Sequence, residues 1–454
     1  MIQELCRSCP EKTSSGVVFF PGVLEEFPGD LGEKHMAVLE SVQAGFRRQK
    51  QVGFYPPQMS EEEWQRSVRE NTDLAKNNTL VRRSLLGNSL TAVSYRDLLR
   101  ESSFRGIFDE IAEGLVDVGR TAQSLSLPDH SLIAREVRVL ADGFRSGDTD
   151  KAMEDYLNLR RHPKYGIWGG FLDRLSDRER ALKFDLQAWS TVQKDSLSQD
   201  FNTWMRIVLR GMGRYPNSDI MIVDAAGFAG LGAVMEWQAN TQPSQPEIGE
   251  RVGYLLNFFD NVSAYKTNKD VKPKLEQIAP EEVFDRFSRN GLLDRVRRAI
   301  TAGHEVGHAA HMIPEGADLR LGRWYQVLKE MYSDAFELWS VLKYPEIVIS
   351  RTQLPSAVYF DLAFDESSID KRRKEDDITD PYPYAAAAKI NTLLNERAIT
   401  RSSDGKYTIS DLNQIREVMD AYLKGLVELT NYASQSELEN FILEHSSYPV
   451  DFLH

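Results

Sequence analysis

Along most of this chain the apolar positions recur at three- and four-residue intervals, the spacing of a helix buried on one face, and only seldom alternate as strand residues do. In the first half, EEEWQRSVRENTDLAKN follows Ser60, which is placed to cap a helix with Glu63 completing a capping box. SYRDLLRESSFRGIFDEIAEGLVDVGRTAQSL keeps the same period. Strands are few, the clearest being SGVVFFPG near the start and SDIMIVDAAG over residues 218–227. The GFAGLGAV segment carries Gly227, Gly230 and Gly232, but in an order that does not match a nucleotide-binding fingerprint. Turn formation or close backbone packing is the expected use of these glycines.

Pro and polar residues at TQPSQPEIG and DKRRKEDDITDPYPY mark loops that separate lobes or line a cleft. From about Pro280 the pattern is helical nearly throughout, with a turn or hairpin at RSSDGKYTIS. The expected fold is mainly α (α+β), with two lobes around a cleft. Residues 1–280 would form an N-terminal helical and mixed α/β lobe carrying a small β-sheet, and residues 281–454 a helical catalytic lobe. There is no repeat of solenoid length.

Composition narrows the partners. With 454 residues, 41% of them hydrophobic, the chain can bury a sizeable core. Its 55 Lys and Arg against 68 Asp and Glu give a net charge of -13, which disfavours a nucleic-acid groove or an anionic membrane surface and suits a small or neutral-to-basic ligand. No apolar run approaches the roughly 20 residues of a membrane span, and the start lacks a secretory signal pattern, so a soluble, cytoplasmic protein is expected. Both cysteines, Cys6 and Cys9, fall in one CxxC without a second pair, and are expected to be incidental thiols.

The chemistry concentrates in two helices. Val296, Ile300, Gly303, Gly307 and Ala310 recur at helical spacing, so LLDRVRRAITAGHEVGHAAHM is one helix running through three of the eight histidines. His304 and His308 are one turn apart on one face, close enough for both to reach a single ion, with Glu305 beside them: the HExxH arrangement. Gly303 and Gly307 each cost about 0.5–1 kcal/mol inside a helix, a cost that makes sense where a second backbone or a ligand approaches closely. In WYQVLKEMYSDAFELWSVL the apolar stripe is Leu328, Met331, Ala335, Leu338 and Leu342, and Glu330 and Asp334 lie one turn apart. If this helix packs on the first, Glu330 is the third ligand, and Asp334 can accept the free N–H of a ligating histidine. His311 leans toward the same side. It would either close the coordination sphere, giving a structural site, or sit behind the ligands against one of them or line the cleft, which is the expectation here.

HEVGH followed by LKEMYSDAFEL resembles the zinc helices of the dipeptidyl peptidase III-like hydrolases, a group that includes the peptidase-like domain of some plant nudix hydrolases. FYPPQMSEEEW, NNTLVRRS, AVSYRDLL, YGIWGGFLDRLSDRERALKFDLQAW, NFFDNVSAYK and PYAAAAKINTLLNERAITRSSDGKYTIS are similar to successive segments of that group. The histidine motif departs from dipeptidyl peptidase III proper, which has HExxxH and a longer chain, so exopeptidase character does not follow. The resemblance implies an oxyanion-stabilising donor just before the AKINTLL helix, where this chain has Tyr382 and then Tyr384; the alternative is that both tyrosines only pack in a Pro-Tyr turn. A weaker similarity to thimet oligopeptidase-type metallopeptidases rests on Glu330, Ser333, Glu337 and Trp339, and implies the same ligands.

Together these features imply a zinc metallopeptidase: one Zn²⁺ on His304, His308 and Glu330, which lowers the pKa of its water toward 7, with Glu305 as general base and then acid, and a peptide as substrate. Two alternatives stay open: a metal-dependent enzyme acting on a non-peptide amide or lactone, and a non-catalytic scaffold with a vestigial site.

Overall fold

A computed structural model of the chain describes residues 9–47, 102–146, 149–159, 163–172, 185–214, 217–230, 238–242, 246–289, 291–314, 316–321, 324–375 and 381–446. The helical segment after Ser60, Cys6, Gly232 and the resemblances at FYPPQMSEEEW, NNTLVRRS and AVSYRDLL lie outside the described residues.

The strands are β1 (Glu11–Lys12), β2 (Val18–Phe19), β3 (Tyr165–Leu172), β4 (Asp185–Gln193), β5 (Asp219–Gly230), β6 (Ala239–Gln242), β7 (Leu255–Phe259), β8 (Ile399–Arg401) and β9 (Tyr407–Ile409). The principal helices are α1 (Leu31–Arg47), α2 (Ser102–Ser124), α3 (His130–Ser146), α4 (Asp195–Gly211), α5 (Asp260–Lys266), α6 (Leu292–Ala310), α7 (Tyr325–Lys343), α8 (Leu354–Glu375), α9 (Tyr382–Asn395), α10 (Leu412–Tyr432) and α11 (Gln435–His445). The chain is mainly helical, as the periodicity predicts, and the larger sheet comes wholly from its first 259 residues.

That sheet is built on β5. It pairs antiparallel with β4 along Val223–Gly230 and with β2 near its end, and parallel with β7 over Asp219–Val223; β6 pairs in turn with β7. Alternation along β5 and β7 sends Ile220, Ile222, Leu256 and Phe258 to one core, and Met221, Val223, Leu255 and Phe259 to the other. The first core contains α4 and the helices from α6 onward; the second contains α1 to α3. The antiparallel pair β3–β4 was not expected from the sequence. YGIWGGFL is glycine-rich and shows no clean alternation, so its pairing is set by tertiary contact rather than pattern. Gly227 lies within β5, where a Cβ would meet Leu39 Cδ1 at 2.8 Å, so close packing explains it. RSSDGKYTIS forms the β8–β9 hairpin.

Gly303 and Gly307 set the spacing of α6 and α7. A Cβ on Gly303 would lie 2.9 Å from Glu337 Cα, and one on Gly307 2.8 Å from Ser333 Cα. The second helix therefore passes directly over the two glycines. Gly307→Ala gains about 0.5–1 kcal/mol of helix propensity but forces backbone apart at a cost of about 1–3 kcal/mol. The expected outcome is a lower melting temperature, read by thermal unfolding, together with weaker metal binding.

Candidate metal centre

The close crossing of α6 and α7 brings four expected residues together. The rings of His304 and His308 lie 4.8 Å apart, centroid to centroid. His304 Nε2 is 3.2 Å, and His308 Nε2 3.5 Å, from one oxygen, Glu330 Oε2. The far side of each ring is engaged. His304 Nδ1 donates to Asp334 Oδ1 at 2.9 Å, with Glu337 Oε2 3.5 Å away, and His308 Nδ1 lies 2.9 Å from Ser333 Oγ. Glu330 Oε1 accepts from Gln326 Nε2 at 2.8 Å, whereas buried Oε2 has no hydrogen-bond partner.

With both Nδ1 atoms occupied, the two Nε2 atoms and Glu330 Oε2 converge, all within 4.8 Å of one another. Electron pairs crowded in this way need a proton or a cation between them. Donors each about 2.1 Å from a tetrahedral ion are about 3.4 Å apart, close to the spacings seen here. The residues fit a zinc ion: two imidazoles and a carboxylate from adjacent helices, with the outer contacts that fix ring orientation already in place.

The electrostatics agree with that role. Burial alone would lower the pKa of His304, but the carboxylates of Asp334, Glu330 and Glu337 around its ring outweigh burial and hold it well above the ordinary value. Burial would raise Glu330, but His308 and His304 hold it well below the ordinary carboxylate range, so it stays ionised. The pocket is one that holds positive charge.

Glu305 is buried next to the ligands, and its Oε2 accepts from Thr241 Oγ1 at 2.6 Å. Thr241 was missed in the sequence because TQPSQPEIG has the composition of a loop; its first two residues end strand β6, which lies against α6. Thr241→Val is expected to leave metal content unchanged and to lower turnover by roughly tenfold or more, the worth of a hydrogen bond to a charged group at about 1.5–3 kcal/mol. Steady-state rates at matched zinc occupancy check it.

Tyr382, half-buried in the first turn of α9, has its ring 6.4 Å from that of His304. Tyr384 is buried and packs edge-on against Trp324 at 5.6 Å. His311 is placed elsewhere than expected. The helix ends at Ala310, and the extended backbone at His311 carries its ring onto Tyr332, stacked at 4.0 Å, with Nε2 2.9 Å from Thr430 Oγ1. Burial pushes His311 well below the ordinary histidine pKa, as befits a neutral core residue. Ser333 and Glu337, which entered only through the weaker resemblance, contact the two ligand rings. Cys9 is exposed and forms no disulfide among the described residues.

No family model matches the sequence, and no curated protein matches it. Solved structures do. Dipeptidyl peptidase III from Caldithrix abyssi superposes with a TM-score of 0.60 at 14% identity, covering 95% of this chain and 85% of that one. Dipeptidyl-peptidase III from Corallococcus sp. strain EGB gives 0.62 at 13% identity, covering 94% and 83%. The fold is that of dipeptidyl peptidase III. At these identities the likeness is one of architecture, shared over nearly the whole chain, and the chemistry has to be argued from the site. Among the described residues, no helix is long and apolar enough to cross a membrane.

Proposed function

We propose that this chain is a zinc metallopeptidase of the dipeptidyl peptidase III-like group, with His304, His308 and Glu330 as ligands and Glu305 as the proton-transferring residue. The observation that carries the reading is the convergence of His304 Nε2, His308 Nε2 and the partnerless Glu330 Oε2 on one point, with Glu305 next to His304 in the chain. A zinc ion held by His304, His308 and Glu330 would supply Lewis acidity, polarising the scissile carbonyl and lowering the pKa of water toward 7.

The chain's own residues do the rest. Asp334 and Ser333 fix the two rings, so that each presents Nε2 inward. Glu305, oriented by Thr241, accepts the proton of the attacking water and returns it to the leaving amine. Tyr382 borders the site with a phenol able to donate to the developing oxyanion. Tyr384 packs against Trp324.

A peptide suits the site because β6, an extended segment paired with β7 alone among the described residues, passes Glu305 at Thr241. Such a segment offers main-chain groups to an extended substrate. The match to 85% of a dipeptidyl peptidase III chain also favours a scaffold that keeps both lobes. Incubating the zinc-loaded protein with a peptide library, in parallel with a panel of small amides and lactones, tests the reading. Chelator-sensitive cleavage of peptides is expected; turnover confined to the non-peptide panel would replace the peptidase reading.

A further inference from the structure

Behind the ligand helices lies a buried charge that the proposed chemistry does not use. Lys389, in the alanine-rich stretch of α9, is wholly buried. Its ammonium is 2.8 Å from Glu337 Oε1, 2.8 Å from Asp361 Oδ1 and 3.1 Å from Asp365 Oδ2, and it donates to the Asp334 carbonyl at 3.2 Å. Asp361 and Asp365 come from α8, one turn apart, and both are buried. Three carboxylates this close would bind a cation, and the cation present is the lysine itself.

A charged group so deeply buried is costly, and a well-packed apolar set of similar volume is often as stable, so structural need is a poor explanation for it. The contacts lead toward the metal centre instead. Glu337 presents Oε1 to Lys389 and Oε2 to His304 Nδ1, and Asp334 presents its carbonyl to Lys389 and its carboxylate to the same Nδ1. One ammonium thus grips both residues that hold the His304 ring.

We propose that Lys389 is a positioning residue for the metal centre: by pinning Glu337 and the Asp334 carbonyl it aims His304, and so sets the affinity and geometry with which the ligands take zinc. This rests on the reading of His304, His308 and Glu330 as the ligand set. Removing an outer contact of this kind typically weakens metal binding by about 10–100-fold.

The test uses the full chain in three forms. Lys389→Met is combined with Asp361→Asn and Asp365→Asn, so that no uncompensated carboxylate pair is left in the core. Glu337→Gln keeps Lys389 but cuts the link to His304. The third form carries all four substitutions. Zinc affinity is measured by competition with a chromophoric chelator, and site geometry by the visible spectrum of the cobalt-substituted protein. The expected result is a loss of about 10–100-fold in affinity with an altered cobalt spectrum in the triple variant. A similar loss is expected in Glu337→Gln, with little further loss when the two are combined, since both act on one contact chain.

Wild-type affinity and spectrum in the triple variant, or fully additive losses, would overturn the role. Should the triple variant not fold, Glu337→Gln decides: unchanged affinity and spectrum refute the relay, and a loss with an altered spectrum supports it. Absence of zinc binding in the wild-type protein would instead remove the ligand assignment, and this proposal with it.

Discussion

Replacing Glu305 with Gln is expected to abolish turnover while leaving metal content intact. Glu305 follows His304 in sequence, and its carboxylate accepts a hydrogen bond from Thr241. Glutamine keeps the size and can still accept the Thr241 hydrogen bond through its amide oxygen, so packing is preserved. It cannot accept the proton of an attacking water. General base and acid catalysis by one positioned group is worth about 10²–10⁴-fold, or about 3–5.5 kcal/mol of barrier. Elemental analysis should therefore find wild-type zinc in a protein whose rate has fallen by at least two orders of magnitude. Retained activity would remove Glu305 from the mechanism and leave the metal centre standing.

Zinc binding is expected to weaken steeply as the pH falls. In the metal-free protein His304 is held as an imidazolium well above pH 6.5, donating from Nδ1 to Asp334 and facing the Glu330 carboxylate with Nε2. A metal must displace the Nε2 proton. Across the interval from pH 6.5 up to that raised value, apparent affinity should climb by about tenfold per unit, with about one proton released per ion from this group, and then level off. Titration calorimetry in buffers of different ionisation enthalpy counts the protons. A pH-independent affinity over this interval would mean that His304 is already neutral.

The same shift acts on stability, with a definite sign. Because the folded pKa is raised, the proton on His304 stabilises the metal-free fold fully below pH 6.5, and that contribution is lost as pH rises through the folded value. The gap in melting temperature between metal-loaded and metal-free protein should accordingly widen with rising pH.

What could be read from the sequence was what is local. His304 and His308 are one turn apart on α6, and Glu330 and Asp334 one turn apart on α7, so helical geometry alone puts each pair on one face. Gly303 and Gly307 went further, because a helix bears that cost where something approaches, and the approaching group is the α7 backbone. His311 was misjudged by a single residue of helix length: it lies one position beyond the last helical residue, and a helix end is the feature that spacing fixes least well.

The remainder depends on contacts between residues distant in the chain. Thr241 reaches Glu305 only because β6 is brought beside α6 by its pairing with β7. Lys389 in a run of alanines has the look of a surface lysine, and Asp361 and Asp365 that of solvated charges. Their only shared signal is that each interrupts an otherwise apolar stretch. α8 is buried on several sides rather than along one stripe, so its acidic residues could not be assigned to an exposed face and could have been questioned on that ground.

The most direct measurement is anomalous diffraction from crystals of the zinc-loaded protein, collected on both sides of the zinc edge. A single strong peak about 2.0–2.2 Å from His304 Nε2, His308 Nε2 and a Glu330 oxygen is expected. No peak between these groups, or a Glu330 side chain turned to solvent away from both rings, would contradict the metal centre and every step assigned to it.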